Sequence, residues 1–253
     1  VSDNLLDRTV SRVAAAAPLY IQIAEGLLDQ IESGELPPGE RLPSEREWSE
    51  QLGVNRMTLR RALHLLEMQG LLVRRQGNGT YIADPKIERQ AGKLVLFARG
   101  MERRGFVPGA RVLTLEKRPA TAVEAQQLRI AVAAPVYFVF RVRLVNQEPV
   151  MLERFTVPAR RFPGFEQYDF SVRLVSDVME QEYGIAEVRA RQSLEPVVAT
   201  EYEAELLDIK PGAPLMLERR LGIDENDLAV EYGRDLYRGD RFRFVTELAP
   251  LET

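Results

Sequence analysis

Residues 42–83 read LPSEREWSEQLGVNRMTLRRALHLLEMQGLLVRRQGNGTYIA. Ser44 and Glu47 have the spacing of a capping box, which starts a helix by satisfying two free backbone N–H groups. That helix is predicted to run to about Leu52, with Trp48 and Leu52 on its inner side and Gly53 supplying the tight turn after it. Asn55 suits the N-cap of a following helix, Arg56–Gln69. At about 100° per residue, Leu59, Ala62, Leu63 and Leu66 share one face of it, and Arg56, Met57, Arg60, Arg61 and His64 the opposite face. Leu71–Arg75 and Thr80–Ile82 then flank Gln76-Gly77-Asn78-Gly79, a hairpin whose two glycines suit positive φ. Helix, tight turn, arginine-bearing helix and hairpin together read as a winged helix-turn-helix. A helix anchored on one side and bearing arginines on the other fits a DNA major groove, where Arg donates two hydrogen bonds to guanine O6 and N7. A lone basic face is more often merely solvated. The capped helix before it and the hairpin after it favour DNA here.

Charge supports the same reading locally. Between Val54 and Thr80 five arginines (56, 60, 61, 74 and 75) stand against one acid, Glu67, although the whole chain carries a net charge of −4. Salt screens charges more than about 10 Å apart, so the local field is what a phosphate meets. The 253 residues, 45% hydrophobic and 28% charged, have the composition of a soluble globular protein with room for two ordinary domains. No apolar run approaches the roughly 20 residues of a membrane helix, and the start lacks the apolar core of a secretion signal. A cytoplasmic, nucleoid-associated protein with no membrane partner is expected. Cysteine is absent and His64 is the single histidine. This argues against disulfides, thiolate chemistry, His-based metal sites and a Ser-His-Asp triad. No catalytic residue, metal or cofactor is expected.

Outward from this core, residues 1–17 have no sustained pattern and are expected to be a flexible arm. Pro18 opens a helix in which Ile23, Leu27, Leu28 and Ile31 recur at helical spacing, ended by Leu36-Pro37-Pro38-Gly39. The first domain is therefore 18–83. Residues 84–93, polar and containing Pro85, read as a linker, and 94–253 as a second, strand-rich domain.

The second domain repeats itself. Thr121/Glu124 and Thr200/Glu203 are both capping boxes, Ala134-Pro135-Val136 and Ala213-Pro214-Leu215 follow at one offset, Glu153 answers Glu231, and Arg161-Phe162 answers Arg241-Phe242. Each half runs helix, strand, turn, strand, which predicts a single antiparallel sheet with helices on one side. In Val136–Val145, Phe138, Phe140, Val142 and Leu144 point one way, and Tyr137, Val139, Arg141 and Arg143 the other. The return strand, Val150–Thr156, places Glu153 beside them. Asp169–Gly184 reads as a helix with Arg173 in its first turn, where a cation opposes the helix dipole and calls for an anion or an acidic side chain.

LPSERE, LGVNRMTLRRAL and LEMQGLLVRRQGNGTYI, in this order and spacing, resemble the GntR family of bacterial transcription regulators. The resemblance puts base-contacting arginines at Arg46, Arg56 and Arg60, backbone-positioning residues at Ser44, Asn55 and Thr58, and the wing contact at Gly77 and Gly79. Helix geometry independently supports Arg56 and Arg60; Arg46 rests on the resemblance. APVYFVFRVRL, EPVMLERF, FPGF, YGI, AELLDIKPGAPLMLERR and VEYGRDLYRGDRFRF resemble the UTRA effector-binding domain of the HutC subfamily over about Lys93–Thr246. This implies a fold like chorismate lyase, homodimerisation and a small-molecule pocket with Arg141, Arg143, Glu153 and Glu231 facing the ligand. The overall expectation is an α/β two-domain (α+β) protein: a winged helix-turn-helix, then an antiparallel sheet with helices.

The chain departs from the subfamily where Ser-Phe-Thr is usual and Leu96-Phe97-Ala98 stands, and where Ser-Leu-Tyr is usual and Arg173-Leu174-Val175 stands. Phe97 keeps its place in the effector site. Hydroxyls that hold a phosphate in sugar-phosphate-sensing members are missing at 96, 98 and 173, and an arginine is gained. The expected effector is a small anionic metabolite held by Arg141, Arg143 and Arg173, a carboxylate rather than a sugar phosphate. The competing structural reading is a cross-strand ion pair from Arg141 or Arg143 to Glu153 with nothing bound. The expected function is a transcription regulator, a repressor, reading a palindromic double-stranded operator as a homodimer under effector control. The alternatives are an enzyme acting on an anionic small molecule in the lyase-like domain, with Glu153 or Glu231 as acid or base, and an architectural DNA protein without an effector.

Overall fold

A computed structural model of the chain describes residues 17–75, 77–91, 97–102 and 105–247, with backbone only at 97–99. The expected arm, 1–17, falls almost wholly outside the described residues. The chain forms two compact units: Val1–Ile87 with Gly239–Arg241, and Glu88–Arg238 with Phe242–Thr253.

In the first unit, α1 (Leu19–Glu32) starts after Pro18 and turns Ile23, Ala24 and Leu27 inward. Helix α2 (Glu45–Leu52) is capped by Ser44, whose Oγ accepts from the Glu47 N–H at 3.2 Å, one half of the expected capping box. Gly53 ends it at φ +63°, a left-handed conformation that glycine adopts without Cβ strain, and the chain turns sharply into α3. Helix α3 (Arg56–Met68) starts where Asn55 Oδ1 accepts the Met57 N–H at 2.7 Å. Leu59, Ala62, Leu63 and Leu66 are buried as the helical spacing predicts, sharing a core with Trp48, Leu52, Leu72 and Ile82. Strands β1 (Leu72–Arg75) and β2 (Gly79–Ile82) pair from Leu72↔Ile82 to Arg75↔Gly79.

The second unit is built on one antiparallel sheet in the order β4-β5-β6-β9-β8-β7, comprising β4 (Pro108–Pro119), β5 (Pro135–Val145), β6 (Glu148–Pro158), β7 (Arg189–Val198), β8 (Pro214–Ile223) and β9 (Ala229–Arg238). The order is symmetric about the β6–β9 pair. Each half adds a leading strand to the predicted helix-strand-turn-strand. Both predicted capping boxes close fully, on α5 (Ala122–Leu128) and α7 (Glu201–Leu207). The halves interlock, because α5 packs against β9 and α7 against β6.

Three expectations need correction. Helices cover both sheet faces, not one. The repeat helices α5 and α7 lie over Val136, Phe140 and Val142, but β5 and β6 also carry Tyr137, Val139, Phe155 and Val157 on the other face. Phe162, Phe165, Phe170 and α6 (Val175–Tyr183) bury those. Second, Asp169–Leu174 is not helical. Asp169 Oδ1 accepts the Ser171 N–H at 2.9 Å and its hydroxyl at 2.6 Å, a local turn that competes with helix, and α6 begins only after Leu174. Third, the stretch read as a linker contains strand β3 (Ile87–Gln90), paired with β10 (Phe242–Val245). A short helix, α4 (Phe97–Glu102), precedes β4.

Candidate functional site

The first unit gathers its arginines on one carboxylate. Glu45, in the first turn of α2, accepts from Arg60 Nε and Nη2 at 2.9 and 2.8 Å and from Arg56 Nε at 3.4 Å, while Arg74 Nη1 lies 3.5 Å from its other oxygen. The acid side chain is 15% exposed, against 56%, 44% and 41% for Arg56, Arg60 and Arg74. The hydrogen bonds from Arg60 chiefly hold the Glu45 carboxyl below its ordinary pKa, against the opposing effect of burial. Ser44, Arg46, Arg56, Arg60 and Gly79 line the same cleft of about 750 Å³. Asn55 caps α3, and Thr58 sits half-buried in its first turn. Gly77 and Gly79 hold the wing turn at φ +72° and +106°. Arg46 is solvent-exposed and pairs with Glu50 at 3.4 Å, one turn along α2. Arg61, placed outward by the helical spacing, instead stacks on Tyr20 of α1, 4.4 Å from the ring centre.

Glu45 and Arg74 were not singled out from the sequence. Glu45 meets Arg56, Arg60 and Arg74 across 11 or more residues and on different elements, where no periodicity applies. The only sequence signal is the acid directly before Arg46.

In the second unit, strand register assembles a buried charged face. Arg141 pairs with Glu153, and Glu218 with Asp235; Met151↔Tyr237 and Phe155↔Gly233 put Glu153 opposite Asp235. Arg143, Arg220 and Glu231 share that face, and Arg141, Arg143, Glu218, Glu231 and Asp235 are all buried. Arg141 Nε donates to Glu153 and its Nη1 to the Phe170 carbonyl at 2.7 Å, so the cross-strand pair anticipated from the sequence is formed. Arg220 donates to Glu231 and to Glu187 in the corresponding place of the second half. Burial first, and the adjacent Arg141 charge second, push the Arg143 pKa down to about 10. Burial pushes Glu231 up to about 7 despite Arg220, with Glu187 and Glu153 adding to the rise. Burial of Glu153 is outweighed by Arg141 and Arg143, leaving its pKa below the ordinary value.

Arg143 and Arg173 line one cavity of about 530 Å³, together with Ser171, Asp177 and Gly109. Arg141, Glu153 and Glu231 are outside its lining. Arg173 precedes α6 and does not stand in its first turn; its guanidinium donates to the acidic Glu182 at 2.7 Å and to the Gln181 amide oxygen at 3.1 Å. The side chain of Phe97 lies outside the described residues. Ser171 was missed from sequence because the predicted helix over 169–184 hid the turn that carries it, and Asp177, in the first turn of α6, because helical spacing does not mark a cavity wall. Among the described residues, no group of three His, Cys, Asp or Glu side chains could hold a metal, and no helix is long and apolar enough to cross a membrane.

Comparison with known proteins finds relatives for both domains. Residues 19–82 match the family described as bacterial regulatory proteins, gntR family, and residues 103–243 match the UTRA domain. The chain is 39% identical to the HTH-type transcriptional repressor NagR of Bacillus subtilis (strain 168) over 228 residues, 90% of this chain and 93% of that one. It is 34% identical to the histidine utilization repressor of Pseudomonas aeruginosa over 227 residues, 90% of each chain. The crystal structure of PhnF from Mycobacterium smegmatis superposes with a TM-score of 0.64 at 30% identity, covering 89% of this chain and 99% of that one. The chain belongs to the GntR family of bacterial regulatory proteins, of the HutC type with a UTRA domain, and is a DNA-binding transcription regulator rather than an enzyme.

Proposed function

We propose that the protein is a cytoplasmic, nucleoid-associated repressor that binds a palindromic operator as a homodimer and is switched by a small anionic metabolite. Arg46, Arg56 and Arg60 contact bases; Ser44, Asn55 and Thr58 fix the backbone; Gly77 and Gly79 let the wing approach phosphate closely. The Arg60 and Arg56 side chains converging at one cleft support this assignment. A dimer presents two α3 helices, and half-site spacing follows from their separation.

The observation that carries the effector reading is the cavity shared by Arg143 and Arg173. Arg143 brings a buried cation whose pKa is depressed by burial and by Arg141, so an anion beside it relieves both penalties. Arg141 and Glu153 brace that strand pair, and Glu231 extends the polar face through Arg220. Asp177 on the same wall favours a ligand that also brings hydroxyl or ammonium donors. The absence of hydroxyls at 96, 98 and 173 favours a carboxylate over a phosphate, although Ser171 returns one hydroxyl to the wall. The effector shifts operator affinity only by its differential affinity for the DNA-competent and incompetent arrangements.

A thermal-shift panel of carboxylates and sugar phosphates tests this, with a hit at about 100 times its Kd expected to stabilise by about 2.7 kcal/mol. Calorimetry then compares the hit on wild type, Arg143→Ala and Arg173→Ala. Affinity should fall about tenfold or more in Arg143→Ala, as loss of a charge-assisted pair requires. Unchanged affinity in both variants overturns the assignment.

A further inference from the structure

We propose that Glu45 is a specificity-determining residue of the DNA-reading surface, clamping Arg56, Arg60 and Arg74 into one array and cancelling part of their charge. This rests on the reading of Arg56 and Arg60 as base contacts.

The geometry of a guanidinium makes the clamp productive. Arginine has a side-on donor edge, Nε with one Nη, and an end-on edge formed by the two Nη groups. Arg60 gives Nε and Nη2 to Glu45 Oε2, and Arg56 gives Nε. The end-on edge of each stays available as a fork for guanine O6 and N7. The carboxylate is the least exposed member of the cluster, so the cations face outward over it. Arg74 brings the wing strand into the same array and is fixed from behind by Glu67, 3.2 Å from its Nε. One acid therefore ties the reading helix, the helix before it and the wing to a common arrangement.

The charge has its own consequence. Glu45 removes one positive charge from what Arg56, Arg60 and Arg74 present to DNA, besides the one that Glu67 offsets. Attraction to phosphate alone, which carries no sequence information, grows with the number of charges neutralised. Glu45 lowers that background while holding the donors that read bases.

The test uses the full chain and two duplexes: the tightest binder selected by wild-type protein from a random palindromic library, and a scrambled duplex of the same length and composition. Fluorescence anisotropy across a salt series gives both affinities. Glu45→Gln is expected to lower the selected-to-scrambled ratio about tenfold or more. It should also tighten scrambled binding and steepen its log–log salt slope by about 0.9, the effect of one further charge. Glu47→Gln, which removes a charge from the same helical turn and cleft at a side chain that pairs with none of the three arginines, is expected to keep the ratio. Glu45→Asp keeps the charge but withdraws it, so it should lower the ratio and leave the scrambled slope unchanged. A wild-type ratio in Glu45→Gln and Glu45→Asp, or an equal loss in Glu47→Gln, overturns the proposal. Arg60→Ala separates the two readings. If it binds the selected duplex like wild type, the base-contact reading fails; if it loses binding while Glu45→Gln keeps the ratio, the clamp alone fails.

Discussion

Two glutamates of the sheet domain titrate in opposite directions and make stability depend on pH with opposite signs. Burial raises Glu231 from 4.5 to about 7, Glu187 and Glu153 adding to it and Arg220 opposing it. Between those values the folded chain keeps a proton the unfolded chain has released, so this group's contribution to stability falls as pH rises through the window. Glu124 is the reverse case. Although burial opposes it, hydrogen bonds from Arg118, Thr121 and Thr156 lower it from 4.5 to about 2, so its contribution is full above 4.5 and lost as pH falls toward 2. Urea midpoints over a pH series check both. Glu231→Gln should flatten the decline between about 4.5 and 7, and Glu124→Gln should flatten the rise from about 2 to 4.5. Variant curves parallel to wild type would show that neither group is coupled to folding.

Among the elements, α3 has a packed apolar face and an exposed arginine face. Its inner face is a packed core contact, with Leu59 fully buried. Leu59→Ala should destabilise the first unit by about 2–5 kcal/mol, the cost of a buried leucine and the cavity it leaves. Trp48, the single tryptophan and a member of the same core, reports that unfolding by fluorescence; an unshifted midpoint would contradict the packing. This face, the Asn55 cap, the Gly53 turn and the wing were legible in sequence because each is a local pattern of residues within one turn or hairpin. What escaped was set across elements. Arg61 stacks over the Tyr20 ring of α1, a cation–π contact between elements that helical spacing within α3 does not show. The turn at Asp169–Leu174 hid behind a helical apolar spacing that its Asp-Ser hydrogen bonds override. Strand β3 has its partner about 155 residues away, beyond any local signal.

At the scale of the whole molecule, the sheet domain is a doubled unit whose halves each supply an arginine–carboxylate pair, Arg141–Glu153 and Arg220–Glu231, to one buried face. The repeat was readable from four coincidences of spacing, and both closed capping boxes bear it out. The cavity was only partly readable. Arg143 and Arg173 come together there, but the sequence reading also placed Arg141, Glu153 and Glu231 at the ligand, and they stand outside the lining. Neighbouring positions on one sheet face share a direction without sharing a cavity wall. The chain's net charge of −4 averages away a local feature, the cluster of arginines around Glu45, which is where the sequence had to be read for DNA binding.

The central claim is that arginines of α3 read guanines in the major groove. Replacing single guanines of the selected duplex by 7-deazaguanine, which lacks the N7 acceptor, tests it directly against wild type and Arg56→Ala in equilibrium binding. The account predicts a guanine in each half-site whose replacement weakens wild-type binding about tenfold and leaves Arg56→Ala binding unchanged, as expected for loss of one bidentate contact. Equal losses for the two proteins at every guanine, or no loss at any guanine, would contradict it.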